Sequence, residues 1–144
     1  MGRILFWLSW PLIWLYSPLF RRCRVVVHSG DSIVIVKNKF GAGYWQLPGG
    51  GIKLAESLRA AACRELKEEL GVEALEQNIE TLHDGVRIVK QFGLLMRYQF
   101  TSLGLKNQEE LMLSSEHTDV RWVTLTDLHN YRLAREVIVG EKLI

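Results

Sequence analysis

The apolar positions of the chain follow different periods in different stretches, and each period predicts an element. Arg24 to His28 (RVVVH) and Ser32 to Lys37 (SIVIVK) are β-branched runs separated by Ser29-Gly30-Asp31, a turn whose glycine can take positive φ. They predict a hairpin. A loop rich in glycine and aromatic residues, Asn38 to Gly51, leads into helical spacing from about Ala55 to Leu70, with Gly71 where a helix stop is expected. Asn78 to Lys90 and Leu94 to Ser102 predict two further strands, Gly104 to Ser115 a polar loop with weak helical potential, and Val120 to Val123 a short last strand. Thr126-Asp127 then reads as a helix start, followed by an apolar stripe of Leu128, Tyr131, Ala134, Val137 and Ile138. There is no internal repeat and no linker.

One stretch breaks this pattern. Ile4 to Phe20 (ILFWLSWPLIWLYSPLF) carries no charge, resembles the apolar part of a signal peptide, and lacks a small-x-small cleavage site, so it reads as retained. Residues 1–20 form an appendage and residues 21–144 the domain proper. The appendage is somewhat short for a spanning helix and is interrupted by Pro11, so shallow insertion competes with spanning. Trp7, Trp10 and Trp14 recur at helical spacing, and Arg21, Arg22 and Arg24 follow, which suits anchoring on anionic headgroups with the domain on the cytoplasmic side. The competing reading is a hydrophobic cover packed on the domain or at a dimer contact.

The 144 residues, 48% hydrophobic and 24% charged, are the size and balance of one compact domain with a core. A net charge of +2 is too small to argue for nucleic acid, so a phosphate-bearing ligand must be met by local groups. Cys23 and Cys63 have neither disulfide-framework nor zinc-site spacing, which fits a reducing cytosol. Composition says nothing about oligomeric state.

The chemistry is concentrated on the first predicted helix. On a wheel of about 100° per residue, Leu54, Leu58, Ala61, Ala62, Leu66 and Leu70 cover one broad arc that faces the core. Glu65 and Glu69 fall inside that arc and Glu68 beside it. Burying carboxylates together is costly, because each loses hydration and they repel one another, and a divalent cation removes that cost. Hard oxygen ligands three and four residues apart on one helix suit Mg²⁺ or Mn²⁺. An acidic patch on a solvated helix is the plain alternative.

The spacing around the helix decides against that alternative. Gly50, five residues, Glu56, seven residues, Arg64-Glu65-Leu66, one residue, Glu68-Glu69, one residue and Gly71-Val72 resemble the box of the Nudix hydrolases at every fixed position. Seven identities at ~1/20 and two apolar positions at ~1/3 give a chance match on the order of 10⁻¹⁰ per start, so accident is no rival. The flanks resemble the family too, in the run Tyr44 to Gly51 (YWQLPGGG) and in Val120 to Val123 before Thr126-Asp127-Leu128; the likeness covers residues from about Arg24 onward.

The resemblance implies an α/β fold, a Nudix-type α/β/α sandwich with a mixed β-sheet, in which the box forms a loop, helix and loop that hold a divalent metal and a diphosphate. Carried over by position, Glu68 and Glu69 are expected as metal ligands, Glu65 as a ligand or the group that helps activate water, and Arg64 as the residue orienting them. Glu56 is expected to secure the loop and first turn, and Gly71 to end the helix. The backbone carbonyl of Gly49 is a further expected ligand, and Gly50 and Gly51 are expected to let the main chain approach the phosphates. Lys53 stands where the family often has an acidic residue, and Ala55 where it often has glycine; neither is a fixed position, and Lys53 lies beside the phosphate-binding run. Glu116, six residues before Trp122, matches a place where some members put another glutamate as ligand or base, against the reading of an ordinary loop residue.

Trp45 could stack on a base, although an aromatic residue there is more often wall or core. The four histidines, His28, His83, His117 and His129, share no ligand spacing. The implied activity is attack of water on a phosphorus of a nucleoside diphosphate linked to another moiety, with Mg²⁺ or Mn²⁺ as cofactor and a nucleotide-type small molecule as substrate. Two alternatives stand beside it: a nucleoside triphosphate pyrophosphohydrolase, and a Nudix fold kept as a non-catalytic binding module. Ile88, Val89 and Lys90 occupy the stretch where sugar-nucleotide members carry proline and dinucleoside-polyphosphate members tyrosine, which weighs against both subclasses.

Overall fold

The computed structural model describes residues 21–40, 42–91 and 94–142. The anchor expected in residues 1–20 lies outside them. Among the described residues, no helix is long and apolar enough to cross a membrane.

The two β-branched runs form β1 (Arg21–Ser29) and β2 (Ser32–Asn38), paired antiparallel only at the turn, His28 with Ile33 and Ser29 with Ser32. Gly30, at φ 59, takes the left-handed conformation that closes it. Beyond the turn the strands diverge. β2 pairs along its length with β7 (His117–Thr124) and at its far end with β3 (Trp45–Gln46), whereas β1 runs parallel to β6 (Leu94–Gly104), Arg21 opposite Arg97 through His28 opposite Gly104. β6 also carries β4 (Glu80–Thr81) and β5 (Arg87–Gln91), both antiparallel, which completes a mixed seven-stranded sheet. The edge of β1 that β2 abandons is taken by the glycine-rich loop: Cys23 and Val25 amides donate to the Gly50 and Pro48 carbonyls, and the Ile52 amide donates to Arg21.

Alternation along β1 splits the core in two. Val25 and Val27 pack with Ala62, Leu66 and Leu70 of α1 (Leu58–Leu70), whereas Val26 packs on the other face with Phe100, Leu128 and Val137. Val137 belongs to α2 (Arg135–Glu141), so each face of the sheet carries a helix and the architecture is the expected α/β/α sandwich.

Three boundaries differ from those read in the sequence, each for a local reason. α1 starts at Leu58, because Ala55 sits at φ 63, which no α-helical residue adopts, and the Ser57 hydroxyl caps the helix by accepting from the Ala60 amide at 3.0 Å. Leu54, placed on the buried arc by the wheel, is therefore in the loop and fully exposed. The strand predicted over 78–90 is a short 3₁₀ turn (Glu76–Asn78), then β4 and β5 separated by a bend where Gly85 has φ 113. The last predicted helix is two pieces, a 3₁₀ helix (Leu125–Asn130) and α2, because Trp45 draws residues 132–134 into extended pairing: its amide donates to Arg132 and its carbonyl accepts from Ala134, each through the backbone. Leu128, Ala134 and Val137 are still buried, but Ile138 is exposed.

Candidate active site

The cleft of about 900 Å³ lies where β1 and β2 part. One wall is acidic, with Glu65, Glu68 and Glu69 of α1 and Glu116 of the loop before β7. Arg22 and Arg24 of β1 line the same cleft. Gly49, Gly50 and Gly51 run along one side, Asn38 and Gln46 add amides, and Phe40, Met96 and Tyr98 give an apolar stretch.

Glu65 and Glu69 are each only 9% exposed, as their place among the helix's buried residues requires, whereas the Glu68 side chain is largely in solvent. Arg64 ties this group together. Its Nη1 lies 2.6 Å from Glu65 and 3.4 Å from Glu68, its Nη2 donates to the Gly51 carbonyl at 2.9 Å, and Nε and Nη2 reach Glu56 at 2.8 and 3.0 Å. A planar fork can serve all four groups at once, where an ammonium could not. Glu56 also accepts from the Lys53 amide at 2.9 Å; the Arg64 hydrogen bonds, then that amide, lower its pKa to about 2. Glu56 thus stands ahead of the helix and joins loop to helix through Arg64.

Glu69 has no such cation. Burial pushes its pKa up to about 7, only partly offset by the hydrogen bond it accepts from the Gly49 amide at 2.8 Å. The His117 ring lies 3.6 Å away, is buried, has its pKa lowered by that burial, and bonds through Nδ1 to the Ser114 hydroxyl. Burial thus disfavours the charged form of the ring beside Glu69.

The glycines have distinct reasons. A Cβ on Gly49, at φ 128, would lie 2.5 Å from the Cys23 carbonyl, and one on Gly50 would lie 2.5 Å from the Glu65 carboxylate. Gly71, at φ 69, closes α1 by donating to the Leu66 and Lys67 carbonyls.

The cleft therefore gathers Gly49, Gly50, Gly51, Glu65, Glu68, Glu69 and Glu116. Two expected residues are elsewhere. Trp45 is 7% exposed, packs edge to face on Tyr131 with centroids 5.4 Å apart, and belongs to the core below α2, so the role of stacking on a base does not fit it. Lys53 is exposed and does not line the cleft. Arg24, expected on headgroups, is 4% exposed and turned inward, and Arg22 faces the cleft; of that trio only Arg21 is exposed. The sequence signal for this was alternation: residues 22 and 24 of a strand share one face.

Hard carboxylate oxygens around a buried carboxyl group that no arginine hydrogen-bonds are the donor set that a divalent cation fits. Among the described residues, no three histidine, cysteine, aspartate or glutamate side chains converge on one point. Instead Glu65 and Glu68 turn to Arg64, and Glu69 to the Gly49 amide.

The model of the NUDIX domain matches residues 19–140. The chain belongs to the NUDIX domain family. Over 94 residues it is 34% identical to a putative 8-oxo-dGTP diphosphatase 2 of Mycobacterium tuberculosis, a match spanning 62% of this chain and 60% of that protein. Over 109 residues it is 30% identical to the nucleoside triphosphatase NudI of Klebsiella pneumoniae, spanning 69% of this chain and 77% of NudI. A bifunctional NMN adenylyltransferase/ADP ribose pyrophosphatase of Francisella tularensis, solved with AMP and a manganese ion, superposes with a TM-score of 0.74 at 20% identity, covering 99% of this chain and 48% of that one. At that identity the likeness is one of fold.

Proposed function

We propose that this NUDIX domain hydrolyses a diphosphate linkage in a nucleoside diphosphate joined to a further group, releasing a nucleotide and the phosphorylated group. The observation that carries this is the pair of buried carboxylates, Glu65 and Glu69, lining one cleft together with Arg22 and Arg24. Glu65, Glu68 and Glu69 would hold a divalent cation, Mg²⁺ or Mn²⁺; the Gly49 carbonyl, expected as a further ligand, instead accepts from Arg24 Nη1. Such a cation, when bound, neutralises diphosphate charge and acidifies the attacking water.

The chain's own residues supply the rest. Arg64 holds the Glu65 carboxylate in place and reaches the exposed Glu68, and Arg22 adds positive charge to the same cleft. Water adds to one phosphorus, the bridging oxygen departs with the other phosphate, and a glutamate of the acidic wall accepts the proton. Glu65 and Glu116 are the candidates for that base.

A second reading, hydrolysis of a nucleoside triphosphate to the monophosphate and pyrophosphate, is favoured by what the two bacterial relatives are named for. One assay separates the two. Purified protein is offered nucleoside diphosphate conjugates and nucleoside triphosphates, with Mg²⁺, with Mn²⁺ and with EDTA, and products are resolved by ion-exchange chromatography. Cleavage of a conjugate, dependent on metal, is expected; cleavage of triphosphates alone moves the assignment to the second reading, and cleavage of neither overturns both.

A further inference from the structure

Arg24 is out of place by composition. It sits in β1 ahead of Val25, Val26 and Val27, all fully buried, and is itself 4% exposed. A buried guanidinium is costly unless its charge and its donors are answered. Glu136 of α2, with no exposed surface, answers the charge, Oε1 standing 3.6 Å from Arg24 Nε. The Tyr98 ring lies 5.3 Å from the guanidinium carbon, and Nη2 reaches Gln46 Oε1 at 3.4 Å. Nη1 donates to the carbonyl of Gly49, whereas Nε has the charge of Glu136 beside it and no hydrogen bond.

That last contact links the pair to the acidic wall. The carbonyls on either side, of Pro48 and Gly50, bond to β1, so the Gly49 carbonyl alone of the three turns to the side where Arg24 waits. The same residue's amide donates to Glu69 at 2.8 Å. Gly49 is thus gripped at both ends, in a conformation, φ 128, that few other residues would tolerate.

We propose that Arg24, braced by Glu136, is a positioning residue for the cation-binding wall: by holding the Gly49 carbonyl it fixes the amide that aims Glu69, and it thereby ties helix α2 to the site. The inference rests on the reading of that wall as a cation site. A purely structural ion pair would set the stability of the chain and leave the cation affinity of folded molecules alone. A positioning pair sets both.

The test is Mn²⁺ titration of the purified full chain, with free Mn²⁺ read by electron paramagnetic resonance and folding by circular dichroism. Arg24→Lys keeps a charge opposite Glu136 but loses the fork that reaches Gly49. Arg24→Met with Glu136→Met removes both charges together, so neither is left buried alone. Both variants are expected to fold and to bind Mn²⁺ at least ~10-fold more weakly than wild type, as loss of groups that orient metal ligands does elsewhere. On a cleaved substrate kcat should fall with KM little changed. A folded variant that binds Mn²⁺ within about twofold of wild type overturns the proposal. Failure of both variants to fold assigns the pair to stability alone and overturns it too. Wild-type protein that binds no Mn²⁺ fails the cation-site reading itself, and the inference falls with it.

Discussion

A Cβ built on Gly50 would stand 2.5 Å from Oε1 of Glu65. The glycine at 50 is therefore set by the carboxylate at 65, not by a backbone conformation of its own, and two fixed positions of the family box are one contact in space. Gly50→Ala should push the Glu65 carboxylate out of place with little harm to the fold. Displacements of that size cost about 100-fold in rate where geometry matters. Turnover and thermal melting measured together check this; an alanine variant with wild-type turnover would show that Glu65 has no fixed place to lose.

Glu69 gives a pH dependence whose sign is opposite to that of most carboxylates. Its folded pKa, about 7, lies above the usual value of 4.5, so the protonated form is favoured by folding. The stability it contributes is complete below 4.5 and is lost as pH rises through 7. In EDTA, Glu69→Gln should therefore melt higher than wild type at pH 8, with the gap closing towards pH 4, because the amide can still accept from Gly49 and carries no charge. Parallel melting curves across that range would contradict the assignment.

Ala55 occupies a left-handed position, φ 63, where the family often has glycine. A Cβ in that conformation costs roughly 1–2 kcal/mol, against which glycine's greater freedom in the unfolded chain counts about 0.4–1 kcal/mol. Ala55→Gly should stabilise the domain by about 0.5–1 kcal/mol, a rise of about 2–3 °C in Tm. Differential scanning calorimetry decides it, and a lower Tm would mean that the loop relaxes around alanine at no cost.

Much of this site was legible because its residues are local in sequence. Arg64, Glu65, Glu68 and Glu69 share two turns of one helix, and their spacing alone places two carboxylates on the apolar side, where Glu65 and Glu69 are found. What was not legible depends on strands that meet across the chain. Arg24 and Glu136 are far apart in sequence and meet only because β1 and α2 pack together. Read by neighbourhood, Arg24 looked like part of a surface basic cluster; read by strand alternation, it belongs with Arg22 on the cleft side. Trp45 was ambiguous for a related reason, since only the extended pairing with residues 132–134 commits it to the core. Ala55 was noticed as a departure, but its positive φ, and hence the true start of α1, needed backbone geometry.

The central claim is that the Glu65, Glu68 and Glu69 wall works through a divalent cation on a diphosphate. Single-turnover hydrolysis of the best substrate from the panel, by wild type, Glu68→Gln and Glu69→Gln, tests it most directly. Wild type should be active with Mg²⁺ or Mn²⁺ and inactive in EDTA, and each variant should lose at least ~100-fold in rate while remaining folded. Full activity in EDTA, or undiminished rates in both variants, would contradict the account.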